Sequence, residues 1–163
     1  MHPNLQDFRW TREPASFSVT DEKVEIVTKP HTDLWQRTYY HFRNDNAPVF
    51  QMETEEKYFS FVVKTSFEES HHRFDQCGIV MYLDSDNWLK GSIEYENERF
   101  QHLGSVATNN GYSDWATTAI DASVKSCGTG SAAGKTITAS SVPPTARTSP
   151  RCGYAICGRA AAR

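Results

Sequence analysis

The 163-residue chain is 38% hydrophobic and 12% aromatic, which supports one domain with a core that needs neither disulfides nor a metal to hold it. Its formal charge of -3 hides an asymmetry: residues 1–125 carry all 20 acids against 12 of the 17 cations, a balance of -8, while residues 126–163 carry five cations and no acid. The acidic body argues against nucleic acid as the main partner, no run approaches the length of a membrane span, and MHPNLQDFRW lacks a leader pattern, so the expectation is a soluble, cytoplasmic protein with no membrane partner.

In chain order, Phe8 to Arg12 and Ser16 to Thr20 read as short strands separated by Pro14, and Lys23 to Thr28 follows a turn at Asp21-Glu22. His31 to Thr38 reads as a polar loop with an embedded Trp, leading into an aromatic strand from Tyr39 to Phe42. Arg43-Asn44-Asp45-Asn46 is a turn signal, and Ala47 to Met52 is extended again. Lys57 to Ser66 is the clearest alternating strand, with Tyr58, Ser60, Val62 and Lys64 on one side and Phe59, Phe61, Val63 and Thr65 on the other.

The middle of the chain predicts a hairpin, Gln76 to Leu83 and Trp88 to Tyr95, closed by Asp84-Ser85-Asp86-Asn87. A two- or four-residue tip pairs Leu83 with Trp88, Met81 with Lys90, Ile79 with Ser92 and Cys77 with Glu94. That face mixes apolar groups with a cation and a carboxylate, whereas Tyr82, Val80, Leu89, Ile93 and Tyr95 form a face apolar enough to be core. Phe100 to Ala107 is a further strand, and Asn109-Asn110-Gly111 turns the chain before Ser113-Asp114-Trp115. No helical period is sustained, so many short strands at regular spacing point to an all-β sandwich or jelly roll.

The segments Thr32-Asp33-Leu34-Trp35-Gln36-Arg37-Thr38, Asp75-Gln76-Cys77-Gly78, Trp88-Leu89-Lys90, Ile93-Glu94 and Ser113-Asp114-Trp115 stand in one order and spacing. In this they resemble the concanavalin A-like family of unknown function related to regulation of enolase protein 1. The resemblance implies a two-sheet antiparallel jelly-roll sandwich over residues 1–125, and it brings no settled activity. The family pattern continues past Trp115 with a strand of the type W-x-R-L-S-R and then S-x-D-G-x-x-F, from which this chain departs at Ser126.

After Lys125 the sequence contains no Trp, Phe, Leu or Met. Read in a shifted frame, the codons from Cys127 onward are compatible with W-Y-R-L-S-R and, at the right distance, S-A-D-G-E-D-F. The expectation is therefore a domain lacking its last strands, followed by a loosely ordered, frameshift-derived basic tail over residues 126–163. A genuine Ser/Gly/Pro-rich disordered tail fits the same composition.

Several residues have the chemistry of a site. Lys90 and Glu94 share a strand face with Trp88, and a carboxylate beside a ring can meet a sugar as acid, base or hydrogen-bond acceptor. The preferred structural reading is a Lys-Glu pair that solvates a half-exposed sheet. Asp75 and Gln76 serve either as loop anchors or as ligand contacts. Asp33, Trp35 and Gln36 place an acid, a ring and an amide together, and Asp114 with Trp115 repeats the combination.

Metal ligation is not assigned, because Asp84, Asp86 and Asn87 fit an ordinary turn and the six His are dispersed apart from His71-His72. Cys77 reads as a small buried hydrophobe, with Cys127, Cys152 and Cys157 all in the tail. Gly128 to Thr136 ends in Gly-Lys-Thr, but Gly130 stands one residue too near and Gly128 one too far for a phosphate loop. No cofactor is expected.

The functional expectation is carbohydrate-associated binding through a sheet face. The alternatives are an enzyme on glycosides, with Glu94 and Asp75 or Lys90 as catalytic candidates, and a regulatory domain with a protein partner. For the tail, sequencing the encoding DNA around codons 120 to 130 should reveal a frame change that restores the family strands. An intact second frame without those strands would refute it.

Overall fold

Short runs of β-branched and aromatic residues, interrupted by polar turns, pair here into antiparallel ladders throughout. The computed structural model describes residues 4–54, 56, 58–67, 70, 72–133 and 151–155. The strands are β1 (Arg9–Arg12), β2 (Ser16–Val19), β3 (Val24–Val27), β4 (Leu34–Gln36), β5 (Arg43–Asp45) and β6 (Val49–Glu53). They continue with β7 (Phe59–Ser66), β8 (Gln76–Asp84), β9 (Asn87–Tyr95), β10 (Phe100–Asn109), β11 (Tyr112–Asp121), β12 (Ser126–Ala133) and β13 (Arg151–Ala155).

Seven strands form the main sheet, in the order β1-β6-β13-β8-β9-β10-β11. The pairs β7-β12, β2-β3 and β4-β5 form two-stranded ladders around it. The protein is an all-β sandwich. On one face of the main sheet, Phe8 stacks on Phe50 at 5.2 Å between ring centres and meets Phe61 of β7 at 6.4 Å. Thr65 of β7 is buried and hydrogen-bonds the thiol of Cys77, whose burial pushes its pKa up to about 12. The expected alternation of β7 holds: Tyr58, Ser60, Val62 and Lys64 are exposed and the intervening residues are covered.

The other face is covered by β4, β5 and their connection. Its core joins Leu34, Trp35, Val49, Val80, Tyr82, Trp88 and Val106, all buried. The central hairpin therefore differs from the predicted register. Tyr82, not Leu83, pairs with Trp88, because the ladder shifts between Tyr82 and Asp84 next to the tight turn. Val80 then faces Lys90, Gly78 faces Ser92 and Gln76 faces Glu94. One slipped residue moves Tyr82 and Val80 onto the face of Lys90 and Glu94, so the supposed half-exposed face is a core face.

The β4-β5 region also differs from expectation. The predicted polar loop contains β4, the predicted turn at Arg43 contains β5, and the predicted aromatic strand from Tyr39 to Phe42 is the connection between them. Arg37, Tyr39 and His41 all have φ of 59°, and Thr38 N donates to Gln36 O while Tyr40 N donates to Thr38 O. These are two successive γ-turns, strained for residues with side chains. Closing bonds from Arg37 N to Phe42 O (2.8 Å) and from the Arg37 guanidinium to Gly111 O (2.6 Å) hold the connection down.

Two segments of the basic tail are paired as strands. β12 runs antiparallel to β7 from Ser126↔Ser66 to Ala133↔Phe59, and β13 lies between β6 and β8. The remainder of the tail, with its Gly-Lys-Thr, lies outside the described residues, as does His71.

Gly78 is packed directly against the backbone of β9. A Cβ there would collide with the Gly91 carbonyl and stand 2.7 Å from Ser92 Cα, whereas one at Gly128 would meet nothing within 4 Å. Gly78→Ala should destabilise the protein by about 2–3 kcal/mol, lowering Tm by roughly 5–10 °C, with Gly128→Ala as the unperturbed control in the same thermal melts.

Candidate functional site

The covered face of the main sheet holds a cavity of about 220 Å³. Its polar lining comes from Asp33, Lys90 and Glu94, with His31, Thr32 and Asn44. Its aromatic lining comes from Trp35 on β4, Tyr40 and Phe42 in the connection, Phe74 before β8, and Trp115 on β11. The rings brace one another: Trp35 meets Tyr40 at 5.4 Å and Trp115 at 6.3 Å, and Tyr40 meets Phe42 at 5.7 Å and Phe74 at 5.8 Å. The Trp115 indole stands over Gly104, where a side-chain carbon would come within 2.9 Å of its nitrogen.

Lys90 is 5% exposed, and its ammonium makes two hydrogen bonds and one ion pair. It donates to Gln76 Oε1 at 2.7 Å and to Leu34 O at 3.0 Å, and it lies 3.6 Å from Asp33 Oδ1. Asp33 Oδ1 also accepts from Gln76 Nε2 at 3.1 Å and from the Leu34 N–H at 2.7 Å. Asp33, Gln76 and Lys90 thus form a closed network tying β4 to β8 and β9. The expected solvated Lys-Glu pair is corrected: the ammonium is buried, and its ion pair is with Asp33.

Glu94 is the contrast. Among the described residues its carboxyl has no hydrogen-bond or ion-pair partner, although it lines the cavity. Burial pushes its pKa up from 4.5 to about 7, against the pull of Lys90 and helped by the charges of Asp33 and Glu96. Burial also raises the Tyr40 phenol, and Glu94 adds to that rise.

The other predicted residues take different positions. Gln36 is fully buried but does not line the cavity, since its Nε2 donates to Ser85 O at 2.6 Å. Trp88 is core, with its indole N–H directed to Ser85 O at 3.3 Å. Asp75 anchors the approach to β8, accepting the His72 N–H at 3.0 Å. Gln76 lies behind the cavity, holding Lys90. Asp114 is exposed, and alternation along β11 turns it away from Trp115.

Sequence reasoning missed Tyr40, Phe42, Phe74, His31, Thr32 and Asn44 as lining residues. The dense aromatics from Tyr39 to Phe42 were a usable signal; Phe74, with φ of 74°, gave none. Ser113 was missed as a support. Its hydroxyl accepts the Gln36 N–H at 2.9 Å and bonds Thr108 Oγ1 at 2.7 Å, fastening β4 to β11.

At the β8-β9 tip, Asp84 accepts from Asp86 N and Asn87 Nδ2, while Asp86 pairs with Arg43 at 3.0 Å. Among the described residues, no helix is long and apolar enough to cross a membrane.

Comparison with known proteins matches residues 10–129 to the family described as "Protein of unknown function (DUF1349)". "Regulation of enolase protein 1" of Saccharomyces cerevisiae (strain ATCC 204508 / S288c) is 35% identical over 114 residues, covering 69% of this chain and 55% of that protein. The chain thus spans about half the length of this curated relative. A solved structure described as a functionally unknown protein from Saccharomyces cerevisiae superposes with a TM-score of 0.79 at 25% identity, covering 95% of this chain and 88% of the other.

The raised carboxyl of Glu94 sets a pH dependence. An acid whose pKa is raised by folding binds its proton more tightly in the folded state. Its ionisation costs nothing below 4.5 and destabilises progressively as pH rises to about 7. The full loss is about 3 kcal/mol. Glu94→Gln should remove this component, so the variant's Tm should exceed wild type at pH 7 and converge with it near pH 4.5. Parallel melts across that range check the sign.

Proposed function

We propose, for a chain that belongs to the DUF1349 family of proteins of unknown function and so takes no activity from its kinship, that the aromatic cavity binds a carbohydrate. The observation that carries this reading is the meeting of apolar ring faces with a carboxyl that no described residue satisfies. A pyranose offers the matching surface, with C–H groups for the rings and hydroxyls for the carboxyl and for Asn44, Thr32 and His31. At about 220 Å³ the space lies below the range typical of drug-sized ligands, which favours a single sugar ring over an extended chain.

Binding is favoured over hydrolysis by the state of the carboxylates. Glycoside cleavage calls for two working carboxyl groups, and here Asp33 is committed to Lys90, Gln76 and the Leu34 N–H. The name of the yeast relative, regulation of enolase, supports a second reading in which the same domain regulates a protein partner in the cytoplasm.

A panel of mono- and disaccharides titrated against the protein, followed by indole NMR signals, tests the proposal. At least one sugar should perturb Trp35 and Trp115 at millimolar concentration, and Trp115→Ala should weaken it about tenfold, or about 1.4 kcal/mol. Glu94→Gln should weaken binding modestly; turnover of a glycoside by the wild type, abolished in this variant, would place the protein among enzymes. Failure of every sugar to perturb the indoles would overturn the carbohydrate reading.

A further inference from the structure

Resting on the carbohydrate reading of the same cavity, we propose that the sugar carries a free ammonium group, which Glu94 receives between the aromatic walls. The first support is the charge inventory. Of the side chains of Asp33, Lys90 and Glu94, the first two form an ion pair at 3.6 Å, and the ammonium already donates to Leu34 O and Gln76 Oε1. Among the described residues, Glu94 is the charged lining group without a partner. An occupant bearing an anion would meet that carboxylate where Lys90 is already ion-paired with Asp33 and, among the described lining residues, the His31 imidazole is the one other group able to carry positive charge.

The second support is the wall. Trp35, Tyr40, Phe42, Phe74 and Trp115 all line one small space. Aromatic faces attract a cation through their quadrupoles, most strongly where water is excluded. Rings around an unpaired carboxyl are thus matched to a positive group of modest size, and the hydroxyls of the same sugar can reach Asn44 and Thr32. Arg73, the cation outside the lining that acts on Glu94, pairs with Glu96 at 3.0 Å and lies over Phe74 at 4.7 Å.

The groups facing Glu94 define its titration. Lys90 stands four residues back on its own strand face, Gln76 pairs across from β8, and His102 pairs across from β10. Asp33, Tyr40, Arg73 and Glu96 approach from the covering loops and strand ends. A bound ammonium replaces a missing partner, so it should favour the ionised carboxyl.

Calorimetric titration with glucose, N-acetylglucosamine and glucosamine at pH 7, and with choline as a cation whose charge does not titrate, tests this. Glucosamine should bind at least about tenfold tighter than either neutral sugar, a gap of about 1.4 kcal/mol. Choline affinity should rise roughly tenfold from pH 6 to pH 8 as the carboxyl ionises. In Glu94→Gln, shown by melting to be folded, both the preference and the pH dependence should vanish.

Equal or tighter binding of the neutral sugars would overturn the ammonium inference and leave the carbohydrate reading standing. Binding of choline with none of the sugars would overturn both, as would the failure of all four probes. A glucosamine preference that survives Glu94→Gln would overturn the role given to Glu94.

Discussion

The buried ammonium of Lys90 is the constraint on which the covered face depends. A cation without partners in a sheet core would be costly by several kcal/mol, so the chain must bring it acceptors. It brings two acceptors and a counter-charge from two places: the Leu34 carbonyl of β4 with the neighbouring Asp33 carboxylate, and the Gln76 amide of β8. Only when β4 lies across the sheet are all three present. The position of β4 in turn sets Trp35 against Trp115 and carries the Arg37–Phe42 connection over the rest of the face. The cavity is the space left between that connection and the sheet.

This arrangement explains why five separated sequence segments travel together. Asp33, Gln76 and Lys90 belong to three of them and form one closed network; Ser113, in a fourth, fastens the backbone of Gln36. Glu94, in the fifth, lies on the same sheet face without joining it. The segments that hold the cavity open and the lining carboxyl without a partner among the described residues are therefore physically distinct, although they look alike in the sequence.

Much of the architecture was legible, because strand boundaries depend on local punctuation. The β7 alternation, the β8-β9 hairpin, the Asn110-Gly111 turn and the all-β class all followed from side-chain period and turn chemistry. Register did not, since a shift between Tyr82 and Asp84 costs one residue in the count and reverses every assignment of face beyond it. The β4-β5 region failed for another reason. Aromatic residues from Tyr39 to Phe42 favour extended structure on their own, and only long-range bonds such as that from Arg37 to Gly111 make the γ-turns tolerable. The domain boundary near residue 125 rests on the change of composition and on the departure from the family pattern at Ser126. The family match reaches residue 129 and β12 begins at Ser126, because backbone pairing with β7 asks little of side chains.

The same distinction between local and distant causes governs the candidate site. Lys90 and Glu94, four residues apart on one strand face, invite pairing with each other, and in a solvated sheet they would pair. What separates them is the competition for the ammonium: the Asp33 carboxylate arrives with a carbonyl and meets an amide, giving two hydrogen bonds and an ion pair, whereas Glu94 offers a carboxylate alone. Once Lys90 turns to Asp33, Glu94 keeps its burial without its neutralising contact, and its carboxyl rises to about 7. An unpaired carboxyl lowers the stability of the fold near neutral pH, and it is also what gives the cavity a defined chemical preference. The cost to folding and the capacity to bind come from one cause, the choice made by Lys90.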